Sequence, residues 1–171
     1  MNYKIPVLII IIAVGAALLF LMPGTKEYEE IAAVGKPAPD FDYPDATGKM
    51  WKLSDLRGKV VFVSFWATWC TTCESEMPSK DFLYNNMQGK PFQMLGILFR
   101  DNPANLGPYK RTHTINFPTL VSPENDAAKK YGITGVPETF IIDKDGIVRE
   151  KLVGPRSWDS EEQLALIEKW L

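Results

Sequence analysis

The chain has 171 residues, with 19 basic and 21 acidic side chains, a single histidine and a formal charge of −2. Apart from a first stretch of a few dozen residues, this length suits one domain with a sizeable core and leaves no room for a second catalytic domain. The charges of both signs are interspersed, so there is no basic field to draw nucleic acid, and nucleic-acid partners are set aside.

From Ile5 to Met22 the chain is apolar and unbroken by charge, with Lys4 before the run and Lys26, Glu27, Glu29 and Glu30 after it. About 18 such residues come close to the minimum that crosses a bilayer as a helix. A cleaved signal peptide would need small residues in an A-x-A-like arrangement just after the run; "LMPGTKEYEE" has none there. Residues 1–22 therefore read as an uncleaved signal anchor, with a cleaved signal peptide and a buried core helix as the alternatives. Lys4 and the terminal amine favour a cytoplasmic N-terminus, which would put the rest of the chain on the opposite side. Residues 23–34 read as a charged, turn-rich linker, and 35–171 as the folded domain.

Within that domain, the Pro/Gly-punctuated segment around "DATGK" suggests an N-terminal β-hairpin. "VVFVSFW" (60–66) is a continuous apolar and β-branched run, the pattern of a strand buried on both faces. A helical pattern follows from about Thr71 to Met87, with Pro78 inside it as an expected kink. "FQMLGILF" (92–99) reads as a second buried strand, followed by a helical stretch over 102–112 and a short strand over 117–121. A further helix over 124–132 is stopped by Gly132. "TFIID" and "IVREKLV" around "KDG" predict an antiparallel hairpin, and Ser157 or Ser160 can cap a last helix running toward Leu171. Alternating strands and helices closed by a hairpin and a helix define a mixed α/β sheet covered on both faces.

Cys70 and Cys73 are the only two cysteines. A bridge between them closes a very short loop, so a purely structural staple explains little. Zinc would need four ligands, and the chain adds only His113 to the two sulfurs. Copper held by two thiolates and His113 stays open as an alternative to a surface or loop histidine. Cys70 directly follows a buried strand and opens a helix, where free N–H groups and the helix dipole stabilise a thiolate. Cys73 falls one turn later on the same face, within disulfide reach. The outer sulfur, Cys70, is then the nucleophile and the shielded Cys73 the resolving thiol.

"FWATWCTTC" resembles the active-site segment of the thioredoxin superfamily, and "GVPETFIID" (135–143) resembles the segment that carries its cis-proline. Between the two motifs stand two strands and two helices instead of one of each, an apparent central βα insertion over roughly residues 100–123. With the hairpin and the anchor, this is similar to the membrane-anchored TlpA/ResA/CcmG (DsbE) branch. The resemblance implies a thioredoxin-like fold, a Cys70–Cys73 redox couple that needs no cofactor or metal, and Pro137, after Val136, as the cis-proline beside the substrate. Trp69 falls on the rim that meets substrate, and Trp66 in the core. Glu76 matches an acidic residue that the branch uses near its site. A partly desolvated carboxylate one turn from Cys73 could exchange protons with the resolving thiol; the alternative is a solvated helix glutamate. Glu74 reads as surface. Glu138 falls where cytochrome-maturation members have "PETF", and either lines the substrate groove, borders Glu76 or faces solvent. In one departure, Ser64 stands where thioredoxin has a buried aspartate.

No basic side chain lies between the cysteines, only Thr71 and Thr72, and carboxylates follow at 74 and 76. Little beyond the helix end would lower the Cys70 pKa, which argues for a reductant. The resemblance implies a catalytic domain on the extracytoplasmic side of a bacterial cytoplasmic membrane, re-reduced by a membrane thiol carrier. It implies disulfide-containing protein substrates, among them the C-x-x-C-H haem motif of apocytochrome c. The rival readings are a general oxidase or isomerase, a copper metallochaperone, and a peroxidase suggested by "GKPAPDF". The last lacks the P-x-x-x-T-x-x-C pattern before Cys70.

Overall fold

The computed structural model describes residues 31–171; the expected anchor and most of the linker lie outside the described residues. Among the described residues no helix is long and apolar enough to cross a membrane. Ala32 is buried and its N–H donates to the Lys130 carbonyl (3.1 Å), so the packed region extends upstream of residue 35.

The architecture follows from one strand. β3 (Val60–Trp66) is buried at every position. Its odd-numbered side chains Val61, Val63 and Phe65 enter one apolar layer, while Val60, Phe62 and Trp66 enter the other. A strand with two apolar faces needs cover on both, each large buried side chain contributing about 1.5–3 kcal/mol. β4 (Phe92–Leu98) pairs with it in parallel and β6 (Glu138–Ile142) antiparallel. With β5 (Thr119–Leu120) and β7 (Val148–Val153), the five-stranded sheet has the order β5-β4-β3-β6-β7.

The hairpin β1 (Asp42–Pro44) and β2 (Met50–Lys52) forms a separate two-stranded sheet, and with α3 (Asp126–Lys130) it covers the first face. The second face is covered by α1 (Thr71–Asn86), α2 (Leu106–Thr112) and α4 (Glu161–Glu168). α1 continues past Pro78 to Asn86. Ser160 caps α4, its hydroxyl accepting from Gln163 N. Gly132, at φ 65°, follows the end of α3 as expected of a helix stop.

The stretch between β4 and the Val136–Pro137 bond contains α2, β5 and α3, so the expected extra strand is real but only two residues long. It is held from outside by the hairpin, through an Asp45–Leu120 bridge and a Val121 N–H to Pro44 carbonyl bond of 3.0 Å. Gly96 of β4 is required by close packing: a Cβ there would meet Trp66 Nε1 at 2.7 Å and Phe117 Cε2 at 3.0 Å. Trp66 can therefore pack closely against β4 immediately before the cysteine loop.

The hairpin turn is organised by Asp45. Its Oδ1 accepts from Thr47 N (2.8 Å), Thr47 Oγ1 (2.6 Å) and Lys49 N (3.2 Å), and its Oδ2 accepts from Trp51 Nε1 (2.8 Å). Partial burial opposes the charge, but these donors outweigh it and bring the carboxyl down to about 2. A carboxylate depressed in the folded state adds stability above its unfolded pKa of 3.8 and loses it as pH falls through the folded value. The unfolding free energy of wild type relative to Asp45→Asn is therefore expected to be constant above about pH 4 and to shrink toward pH 2. Denaturant titrations across that range check it; a pH-independent difference would contradict it.

Candidate active site

β3 delivers the chain into the site, and the loop after β4 braces the exit. Asp101 Oδ2 accepts from Thr68 N (2.6 Å), while Arg100 carbonyl accepts from Trp69 Nε1 (3.1 Å). Trp69 makes this bond while remaining 57% exposed, whereas Trp66 is fully buried. Cys70 is the N-cap residue of α1, at φ −94° and ψ 104°, and its Sγ accepts from Cys73 N at 3.1 Å. Sulfur here stands where an Asp or Ser usually caps a helix, at its partly positive end.

Cys70 and Cys73 are joined by a disulfide with Cα atoms 5.2 Å apart. Cys70 retains 6% exposure and Cys73 none, so an incoming sulfur can approach the first more readily than the second. Thr72 Oγ1 lies 3.3 Å from Cys70 Sγ, a hydroxyl contact that the sequence reading gave no part to. Across the site the Val136–Pro137 peptide is cis, and the Val136 carbonyl oxygen lies 3.7 Å from Cys70 Sγ. Thr72, Val136, Pro137 and Glu138, with Val153 and Pro155, border a cleft of about 250 Å³ beside the disulfide.

Glu76 is not a solvated helix glutamate: it is 2% exposed. Oε1 accepts from Arg156 N (2.8 Å) and Trp158 Nε1 (2.9 Å), and Oε2 from Lys80 Nζ (2.9 Å). Lys80 is fully buried; desolvation pulls its pKa down, and the Glu76 carboxylate works against that shift. Glu138 is also buried, at 4% exposure, which excludes the solvent-facing alternative. Lys151 Nζ approaches its Oε1 at 3.0 Å as an ion pair, outside hydrogen-bond alignment. Glu138 thus borders the cleft near Pro137, while Glu76 has a separate set of partners.

In the place of thioredoxin's buried aspartate, Ser64 pairs across the sheet with Thr139, their hydroxyls 3.4 Å apart. Glu74 reaches His113, whose Nε2 lies 3.0 Å from Glu74 Oε1 and whose ring stacks on Tyr109 at 4.1 Å. His113 is therefore engaged by Glu74 and by the Tyr109 carbonyl. Among the described residues no group of three or more His, Cys, Asp or Glu side chains is arranged to hold a metal ion.

Glu74 and Glu76, the carboxylates that follow the cysteines, each have a basic partner, the His113 ring and the Lys80 amine. The i,i+4 spacing of Glu76 and Lys80 was a legible signal. The contributions of Arg156, Trp158 and Asp101 carried none, since they come from distant parts of the chain.

A strand-to-helix dithiol facing a cis-proline on a five-stranded thioredoxin-type sheet defines a thiol-disulfide oxidoreductase. The comparisons agree. The AhpC/TSA family matches residues 34–151, and the chain belongs to that family. It is 32% identical over 157 residues to thiol-disulfide oxidoreductase ResA of Bacillus thuringiensis subsp. konkukian, covering 92% of this chain and 91% of the relative. To ResA of Geobacillus thermodenitrificans it is 34% identical, covering 77% and 75%. The crystal structure of a thiol:disulfide interchange protein, thioredoxin family protein, from Chlorobium tepidum superposes with a TM-score of 0.71 at 29% identity, covering 81% of this chain and 97% of that one. Within the family the chain falls in the TlpA/ResA/CcmG-like branch.

The Glu74 carboxylate, then the Tyr109 carbonyl, raise the His113 pKa above 6.5. The stabilisation from this contact is full below pH 6.5 and is lost as pH rises through the raised value. Glu74→Gln is expected to return the His113 titration, followed by NMR, toward 6.5; an unmoved midpoint would show that Glu74 is not the cause.

Proposed function

We propose that this oxidoreductase works as a disulfide reductase, anchored by residues 1–22 in a bacterial cytoplasmic membrane, with its domain on the extracytoplasmic side. In this reading it serves cytochrome c maturation, reducing the disulfide of the C-x-x-C-H haem motif in apocytochrome c. The observation that carries the proposal is the setting of Cys70. Its sulfur caps α1 beside the "GVPETF" segment, and its polar neighbours are an N–H, a hydroxyl and a carbonyl oxygen, with no cation among them. Among the described residues the helix end and the Thr72 hydroxyl stabilise the thiolate, short of what a strong oxidant needs.

The steps follow from the roles assigned to the residues. The Cys70 thiolate attacks one sulfur of the substrate disulfide; that S–S bond breaks, a mixed disulfide forms, and the first substrate thiolate leaves to take up a proton. Trp69 and the backbone at Val136 and Pro137 receive the substrate polypeptide, with Glu138 at the edge of the cleft. Cys73 gives up its proton, with Glu76 as the nearest carboxylate on its helix face, and attacks Cys70 Sγ. The Cys70–Cys73 bond forms and the second substrate thiolate is released. Two electrons have passed to the substrate, and a membrane thiol carrier returns the protein to the dithiol.

The test uses a peptide carrying an oxidised C-x-x-C-H motif. The reduced wild-type protein is expected to convert it to the dithiol, Cys73→Ser to accumulate a covalent adduct through Cys70, and Cys70→Ser to do neither. Reduction of a generic protein disulfide without any reaction at the haem-motif peptide would contradict the cytochrome assignment.

A further inference from the structure

Lys80 has no part in the chemistry above. It is fully buried in α1, one turn beyond Glu76 and two beyond Cys73. Removing an ammonium group from water is costly unless a partner compensates, and an apolar side chain would fill this position at less cost. Among the described residues the acceptor of Lys80 Nζ is Glu76 Oε2, at 2.9 Å.

Glu76 cannot swing away from that contact, because Arg156 N and Trp158 Nε1 hold its other oxygen. Cys73 precedes it by three residues, so the two side chains stand about 5–6 Å apart at Cβ on one face of the helix. Cys73 is itself 0% exposed. For this thiol to become a nucleophile it must form a thiolate where water cannot screen it, beside a fixed carboxylate. Like charges so close oppose one another's ionisation.

We propose that Lys80 is a positioning residue of the resolving step: its ammonium neutralises the Glu76 carboxylate, so that Cys73 loses its proton beside a neutral pair and not beside a buried anion. Charged groups bordering the stretch from other elements are engaged elsewhere: His113 with Glu74 and Lys151 with Glu138. On α1, Asp81 accepts from Asn116 and Asn85. Arg156 bonds Glu76 through its backbone, and its buried side-chain Nε has no hydrogen-bond partner among the described residues.

The inference rests on Cys73 as the resolving thiol, but its test needs neither substrate nor electron donor. It therefore fails or stands separately from the direction of electron flow. In the full chain with Cys70→Ser, Cys73 is the sole thiol, and its alkylation rate against pH reports its ionisation. Adding Lys80→Met is expected to raise the midpoint by about one pH unit, roughly tenfold less thiolate at a given pH. Adding Glu76→Gln as well is expected to bring it back to within a few tenths of the starting value. Should Lys80→Met fail to fold, the comparison is Glu76→Gln alone against the double variant, whose neutral side chains remove both charges. The single variant, with its unpaired ammonium, is then expected to titrate about one pH unit lower. An unchanged midpoint in Lys80→Met, a double variant shifted as far as the single, or equal midpoints in the second comparison would each overturn the proposal.

Discussion

The hydrogen bond from Cys73 N to Cys70 Sγ, 3.1 Å long, is the constraint around which the molecule is arranged. It makes a sulfur the cap of α1, which requires the helix to begin at the end of a strand whose position is not negotiable. β3 meets that condition because both its faces are apolar and buried, and its register is fixed on each side, Ser64 facing Gly96 in β4 and Thr139 in β6. The same antiparallel pairing sets Glu138 opposite Phe65, and so brings Val136 and Pro137 to the level of the cysteines. The reactive sulfur and its facing backbone are thus placed by the sheet rather than by a mobile loop.

The second organising feature is that charge near the dithiol comes in pairs. Glu76 with Lys80, Glu74 with His113 and Glu138 with Lys151 each set a carboxylate against a basic side chain. They differ in depth. Lys80 and Glu76 are shut off from solvent, while His113 and Glu74 keep a partly exposed contact that responds to pH. Buried pairs are seldom a source of net stability against apolar replacements, so the retention of one beside Cys73 calls for a chemical reason.

Much of this was legible in the sequence where one physical signal dominated. The doubly buried strands at 60–66 and 92–98 could be read from unbroken apolar runs, and the site from the C-x-x-C spacing and "GVPETF". α1 was legible at its start but not along its length, because Glu76, Ser79, Lys80 and Asp81 are buried there. A helix that buries polar residues carries no apolar stripe, and its inner face becomes visible only through its partners. Those partners were hidden for the same reason: Trp158 and Arg156 reach Glu76 across 82 and 80 positions of chain. The basic partner of Glu74 was not visible from charge counted along the chain, because His113 comes from 39 residues beyond it. Within the AhpC/TSA family the peroxidase reading lacks its pocket residues here, since Val63 and Ala67, both buried in the core, occupy the Pro and Thr positions of that pattern.

The central proposal is that a cysteine stabilised by a helix end and one hydroxyl, with no cation among its polar neighbours in the described residues, donates electrons. Equilibrating the full chain with a defined series of thiol-disulfide buffers measures its reduction potential directly. A value nearer that of thioredoxin, about −270 mV, than that of the oxidant DsbA, about −120 mV, is the result predicted. A potential close to the oxidant's would contradict the account, because it would require a Cys70 thiolate far more stabilised than its neighbours can provide.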